Sequence, residues 1–174
     1  MKGFSERAFT LVEVLLVIAI IGILSGVILV SLGNARQRAR IAKTQLELRS
    51  IFNGVLLLES DTGFWPGGQT AFKINQVENN EICSDGCAFG LNDNRAGLVG
   101  TDGSYPNWKG PYIQEVPVDP WGNEYFFDTD YDIDPGADRE WVVVIGSYGP
   151  DRKERNGYDS GYASDDVIYI VPAD

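Results

Sequence analysis

The chain has 174 residues, a formal net charge of −11, two cysteines and no histidine. The absence of histidine excludes histidine-based catalytic triads, histidine general bases and histidine metal ligands. The charge is uneven along the chain: residues 1–44 hold six basic and two acidic residues (net +4), and the remainder holds eight basic and 23 acidic residues (net −15). An acidic domain of this kind repels nucleic acid, so no direct nucleic-acid partner is expected.

The first predicted element is an apolar helix over residues 9–32. This stretch has 24 residues and a single charge, Glu13. Runs of 18 or more apolar residues with few charges are typical of membrane-spanning helices. An acid inside a bilayer is costly, so Glu13 needs a partner. If a peptidase removed the eight residues ahead of Phe9, the new α-ammonium of Phe9 would meet Glu13, either within one chain or between neighbouring chains.

Beyond Leu32 the sequence keeps a helical period but becomes amphipathic. Two adjoining faces follow this period. One holds Ala35, Ala39, Ala42, Leu46, Arg49 and Phe52, and the other holds the apolar residues Ile41, Leu48, Ile51, Val55 and Leu58. Asp61, Thr62 and Gly63 end the run, with Gly63 as a left-handed cap. We predict one long helix over about residues 9–60, in which 33–60 packs on a globular domain.

Residues 61–110 are rich in Gly, Asn and Asp and are predicted to form an irregular connection between the helix and the sheet. The segment contains both cysteines, Cys83 and Cys87. With no histidine and no third cysteine, they cannot complete a tetrahedral zinc site. A local disulfide is preferred over free thiols, and it favours an oxidising compartment.

Residues 111–174 are predicted to form the β-sheet region. A turn at residues 119–123 precedes a short strand over 124–128, and β-branched runs predict strands over 141–145 and 167–171. Together with the helix they predict an α+β fold, in which the long N-terminal helix packs on a small antiparallel sheet.

Two acidic stretches flank the second of these strands. The loop before the last strand holds Asp151, Asp159, Asp165 and Asp166 among glycines. Oxygen ligands on a flexible loop suit Ca²⁺. The run over residues 128–138 resembles an EF-hand loop only superficially, because Pro135 stands where glycine belongs, and we interpret it as a polar loop between strands.

The N-terminal residues AFTLVEVLLVIAIIGIL resemble the start of type IV pilins and type II secretion pseudopilins. In that family a short basic leader is cut just before a Phe, and a Glu stands at mature position five. The resemblance implies cleavage between Ala8 and Phe9, with 1–8 as leader, and assembly through Phe9 and Glu13. The chain departs from the family in having Ala8 where Gly is usual and Val30 where many members have Pro.

The C-terminal part also carries family features. The DPWGN sequence at residues 119–123 resembles a motif of the major pseudopilins, which normally continue with Pro at the position of Glu124. In those proteins a Ser-x-Gly-x-Asp loop that ends in acidic residues binds calcium. The resemblance implies that the Ca²⁺ ligands are the carboxylates of Asp151, Asp165 and Asp166 and the backbone carbonyls of Tyr148 and Ser164. Because this loop is longer than usual, Asp159 could replace one of these ligands.

The resulting functional hypothesis is a structural filament subunit of type II secretion, with no enzymatic activity. Its expected partners are copies of itself, the prepilin peptidase, the inner-membrane assembly platform, minor pseudopilins and membrane lipid. The anchor would cross the inner membrane once, and the C-terminal domain would lie outside it. The alternatives are a surface type IV pilin and a membrane-anchored calcium-binding domain that never polymerises.

Overall fold

The computed structural model describes residues 10–76, 80–83, 87–133, 140–151 and 165–173, except for the side chains of residues 27–31. Helix α1 spans Leu11–Thr62. The chain divides into two compact units, Met1–Arg40 and Ile41–Asp174.

The long helix ends where its residues predict. Gly63 follows Thr62 in a left-handed conformation with φ 78°, and its N–H donates to the carbonyl of Glu59 at 2.7 Å. A glycine adopts this conformation without the steric cost that a Cβ would bring. The prediction of a long N-terminal helix is therefore confirmed, to within two residues at each end.

Five strands follow the helix among the residues that the structure describes. Two short ones, β1 (Phe64–Trp65) and β2 (Gln69–Thr70), form an antiparallel pair. The main sheet is antiparallel in the order β3-β4-β5, with β3 at Phe126–Asp132, β4 at Trp141–Ser147 and β5 at Val167–Val171. The predicted α+β class with a small antiparallel sheet is confirmed.

The core of unit Ile41–Asp174 lies between the end of the helix and the main sheet. Four helix residues, Leu48, Ile51, Val55 and Leu58, are almost completely buried. They belong to one cluster with the sheet residues Tyr125, Phe127, Val143, Ile145 and Val171. This unit therefore holds a hydrophobic core of its own.

The interpretation of residues 128–138 as a loop is wrong for its first five residues. Asp128 to Asp132 belong to strand β3 and are buried. Strand β3 pairs on one side with β4, and Phe127 pairs on the other with Ile82. This tertiary pairing overrides the low intrinsic strand preference of aspartate. Residues 134–139 lie outside the described residues.

Candidate functional site

The first helical unit presents apolar side chains to its surroundings. Large aliphatic residues over 11–24 keep between 48% and 75% of their surface exposed: Leu11, Val12, Val14, Leu15, Leu16, Val17, Ile18, Ile20, Ile21, Ile23 and Leu24. Exposed apolar surface of this extent marks contact with a partner or a membrane. No helix among the described residues combines the length and apolar character that crossing a membrane requires.

Glu13 has a local partner that the sequence interpretation missed. The backbone N–H and hydroxyl of Thr10 donate to Glu13 Oε2 at 2.8 and 2.9 Å, and the Glu13 N–H donates to Thr10 Oγ1 at 3.3 Å. This reciprocal arrangement is a capping box, and its T-x-x-E signature stands in the sequence. Glu13 therefore caps its own helix, while Ala8 and Phe9 lie outside the described residues.

The turn at residues 119–123 holds the start of the C-terminal loop in place. Asp119 is buried, and its Oδ1 accepts from the backbone N–H groups of Trp121 and Asn123 at 2.9 and 2.8 Å. Its Oδ2 accepts from the Asn123 amide at 3.0 Å and from the Ser147 hydroxyl. The Gly149 N–H then donates to Ser147 Oγ at 3.1 Å. One carboxylate thus joins the turn to the first residues of the loop.

The two ends of the C-terminal loop lie against each other. The Asp151 N–H donates to Asp165 Oδ2 at 3.3 Å, and Asp166 Oδ2 accepts from the Tyr131 hydroxyl at 2.7 Å. Gly149 has φ 65°, and a Cβ built on it would collide with the Asp165 carbonyl. Glycine is required here because the backbone of the opposite loop end passes so closely.

The predicted calcium ligands divide into two sets. Tyr148, Asp151, Asp165 and Asp166 occupy these two loop ends, and the Tyr148 ring stacks on Phe126 at 4.6 Å between centroids. Asp159 and Ser164 lie outside the described residues. Carboxylate and carbonyl oxygens suit a hard cation, so the donors present fit Ca²⁺.

A second acidic group combines Glu81 with Asp128 and Asp130, which the sequence analysis assigned to a polar loop without a bound ion. Ligand oxygens of Glu81, Asp128 and Asp130 all lie within 4.8 Å of one another. Burial raises the pKa of the Asp128 carboxyl well above its usual range. The signal available in the sequence was the alternation of Asp128 and Asp130 along one strand; the contribution of Glu81 depends on tertiary pairing.

Cys83 and Cys87 form a disulfide, as predicted. Cys83 is buried in a small cluster with Phe126, Tyr131, Val144 and Tyr148. Because Ile82 pairs with Phe127, the disulfide lies directly beside the edge of strand β3.

Comparisons with known proteins match both ends of the chain. The family described as "Type II secretion system (T2SS), protein G" matches residues 92–164, and the "Prokaryotic N-terminal methylation motif" matches residues 3–29. Type II secretion system core protein G of Escherichia coli K12 is 25% identical over 84% of this chain and 83% of its own length. The protein of the same name from Vibrio cholerae is 25% identical over 92% of this chain and 93% of its own.

A solved structure is also similar. The major pseudopilin from the type 2 secretion system of enterohaemorrhagic Escherichia coli has a TM-score of 0.44 and 20% identity, over 78% of this chain and 86% of that one. The methylation motif thus lies at the head of a long helix that is followed by a small antiparallel sheet, which is the arrangement that the resemblance to type IV pilin-like proteins implied. Within that class, the chain is similar to type II secretion system protein G over residues 92–164.

Proposed function

We propose that this protein is the structural subunit of a type II secretion pseudopilus. The observation that carries the proposal is the N-terminal helix, whose large apolar side chains are exposed over residues 11–24 and whose sequence matches the methylation motif. Repeated head-to-tail contacts between such helices, which never close on themselves, generate an open filament.

Maturation is proposed to create the assembly contact. Removal of residues 1–8 by the prepilin peptidase leaves Phe9 with a free α-ammonium. Glu13 is the only charged residue between Phe9 and Leu32. Pairing its carboxylate with the Phe9 amine of a neighbouring subunit offsets the cost of placing each charge in an apolar environment.

Residues 9–32 are proposed as a single-pass anchor in the inner membrane before assembly and as the filament core afterwards. Residues 33–60 would carry the domain, 61–110 would form its disulfide-bearing connection, and 111–174 its sheet and acidic loop. The domain would lie in the periplasm, which the disulfide supports because such bonds persist in oxidising compartments.

Calcium is proposed to bind the C-terminal loop through oxygens of Tyr148, Asp151, Asp165 and Asp166, with Ser164 and Asp159 as further ligands. A bound cation would neutralise acids gathered at the two loop ends. The residues themselves already position those ends: Asp119 holds Ser147, and Asp151 donates its N–H to Asp165.

The proposed role is assembly, without catalysis. The peptidase, the inner-membrane platform and minor pseudopilins would act on or join this chain through its first helix. The acidic domain, with 23 of the chain's 25 acidic residues, would face solvent along the filament.

The test replaces Glu13 by Gln in the full chain, expressed with the peptidase and platform. Gln accepts the hydrogen bonds of Thr10 and so preserves the cap, but it carries no charge. We expect processed, membrane-inserted subunits that form no filaments visible by electron microscopy. Thr10→Val removes the hydroxyl from the cap and leaves the Glu13 charge; this control is expected to assemble. Normal filaments from Glu13→Gln would refute the assembly contact.

A further inference from the structure

We infer that Glu81, Asp128 and Asp130 form a calcium site at the edge of the main sheet, separate from the site proposed in the C-terminal loop. The three residues come from two segments of the chain, because Glu81 precedes Asp128 by 47 positions. Asp128 and Asp130 lie within the span of the protein G match, whereas Glu81 lies outside both family matches.

Backbone pairing gathers the three acids. Ile82 and Phe127 exchange two hydrogen bonds, Ile82 N–H to Phe127 O at 2.9 Å and Phe127 N–H to Ile82 O at 3.0 Å. In this antiparallel register Glu81 lies opposite Asp128. Strand β3 also carries a register shift between Asp128 and Tyr131, so Asp130 lies in a bulge. Bulges redirect side chains and are frequent beside functional sites.

Asp128 supplies the observation that points to a ligand. Its side chain is completely buried, its Oδ1 accepts the Asp130 N–H at 2.9 Å, and its Oδ2 has no hydrogen-bond partner among the described residues. A buried carboxylate oxygen without a partner is costly unless a proton or a cation satisfies it.

The chemistry and dimensions of the group fit calcium. Two oxygens on opposite sides of a calcium ion lie up to about 5 Å apart. The three ligand oxygens here lie within 4.8 Å of one another, which satisfies that limit. Each carboxylate can bind calcium through one or both of its oxygens, and water molecules can provide the remaining ligands. Together they supply the six to eight oxygens that calcium takes.

The experiment titrates CaCl₂ into the full chain in detergent micelles, by calorimetry, after removal of metal with a chelator. An Asp151→Asn background weakens the loop site, so the binding that remains reports the buried group. In that background we expect one calcium per chain, and Asp128→Asn or Glu81→Gln should weaken it at least tenfold. Asp132→Asn is the matched control, because Asp132 is a buried acid of the same strand outside the group.

Near-UV circular dichroism establishes whether each variant is folded. If Asp128→Asn does not fold, Glu81→Gln still tests the site, because Glu81 is only half-buried and its substitution disturbs the core less. Equal calcium binding with and without these two substitutions would overturn the inference and leave a shared proton between Asp128 and Asp130 as the explanation. Unchanged binding in Asp151→Asn alone would count against the loop site and not against this one.

Discussion

Helix α1 contains two stretches with opposite relations to solvent. Over residues 11–24 its large aliphatic side chains are exposed, with Leu11 at 75%. Over residues 41–62 it buries a stripe that includes Leu48, Ile51, Val55 and Leu58. Both stretches are regular helix, so secondary structure alone does not distinguish them.

The difference lies in where each stretch obtains its stabilisation. Burying a Leu or Ile side chain contributes about 1.5–3 kcal/mol. The later stretch obtains this from its own domain, through contacts with Phe127, Val143 and Ile145. The earlier stretch does not gain this stabilisation within one chain, because its side chains stay exposed. This is the property expected of a segment that is buried in lipid or against neighbouring subunits.

The largest effect should come from placing a charge in the earlier stretch. Ile21→Asp puts a carboxylate on an exposed apolar position. A charge at the centre of a membrane helix costs about 2.5–3.5 kcal/mol, so membrane-inserted and assembled protein should fall about 100-fold. Ultracentrifugal pelleting of membranes and filaments measures this. Ile21→Leu is the control and should assemble normally; assembly of the Asp variant at wild-type level would remove the distinction between the two stretches.

A pair of neighbouring leucines tests the later stretch. Leu58 is completely buried, whereas Leu57 is 54% exposed. Leu58→Ala should lower the free energy of unfolding of the domain by about 2–5 kcal/mol through lost burial and a residual cavity. Leu57→Ala should change it by less than about 0.5 kcal/mol. Urea titration of the detergent-solubilised chain, followed by tryptophan fluorescence, compares them; equal losses would contradict the assignment of the buried face.

The disulfide should contribute less than the core. Cys83 and Cys87 close a loop with a sequence separation of four. The loop-entropy relation gives about 2 kcal/mol for so short a loop. The Cys83→Ala, Cys87→Ala double variant should lose about that amount, and reductant should lower the stability of the wild type to a similar extent. A reductant effect on the double variant itself would show that the effect has another origin.

The smallest effect concerns the ion pair at the end of the helix. Lys109 Nζ lies 2.7 Å from Asp61 Oδ1, and the Tyr112 hydroxyl donates to Asp61 Oδ2 at 3.0 Å. The hydrogen bond with Lys109 lowers the pKa of Asp61, and the same bond raises the pKa of Lys109. The stabilisation is therefore present above the unfolded aspartate pKa of about 3.9 and below the unfolded lysine pKa of about 10.4.

Asp61→Asn should lower the melting temperature by at most a few degrees near pH 7. The difference from wild type should vanish as the pH falls through the lowered pKa of Asp61, and it should shrink in high salt because the pair is exposed. Melting curves over a pH series from 7 down to 2, with and without salt, measure both trends. A difference that stays constant over the whole series would show that the amide disturbs packing instead.

Much of the fold could be predicted because local signals agree with tertiary contacts. Gly63 ends the helix at the position where only a residue tolerant of positive φ fits, and the β-branched residues of strand β5 form the predicted strand. Strand β3 could not be bounded in this way. Its aspartates disfavour a strand locally, and pairing with Ile82 and Val144 holds them there.

The candidate sites show the same division. The spacing from Ser147 to Asp151, and the acidic pair before β5, were visible in sequence through the family resemblance. The role of Asp119 in holding Ser147 was not, because it joins residues 28 positions apart. The Thr10–Glu13 cap was visible as a local signature, whereas the group of Glu81, Asp128 and Asp130 depends on contacts across strands.

Mass spectrometry of the intact chain, purified from cells that contain the prepilin peptidase and platform, tests the central claim most directly. The claim is that maturation exposes an amine at Phe9 for the carboxylate of Glu13. The account predicts a mature chain that begins at Phe9 and carries an N-terminal methyl group. A chain that keeps residues 1–8 in its assembled form would contradict it.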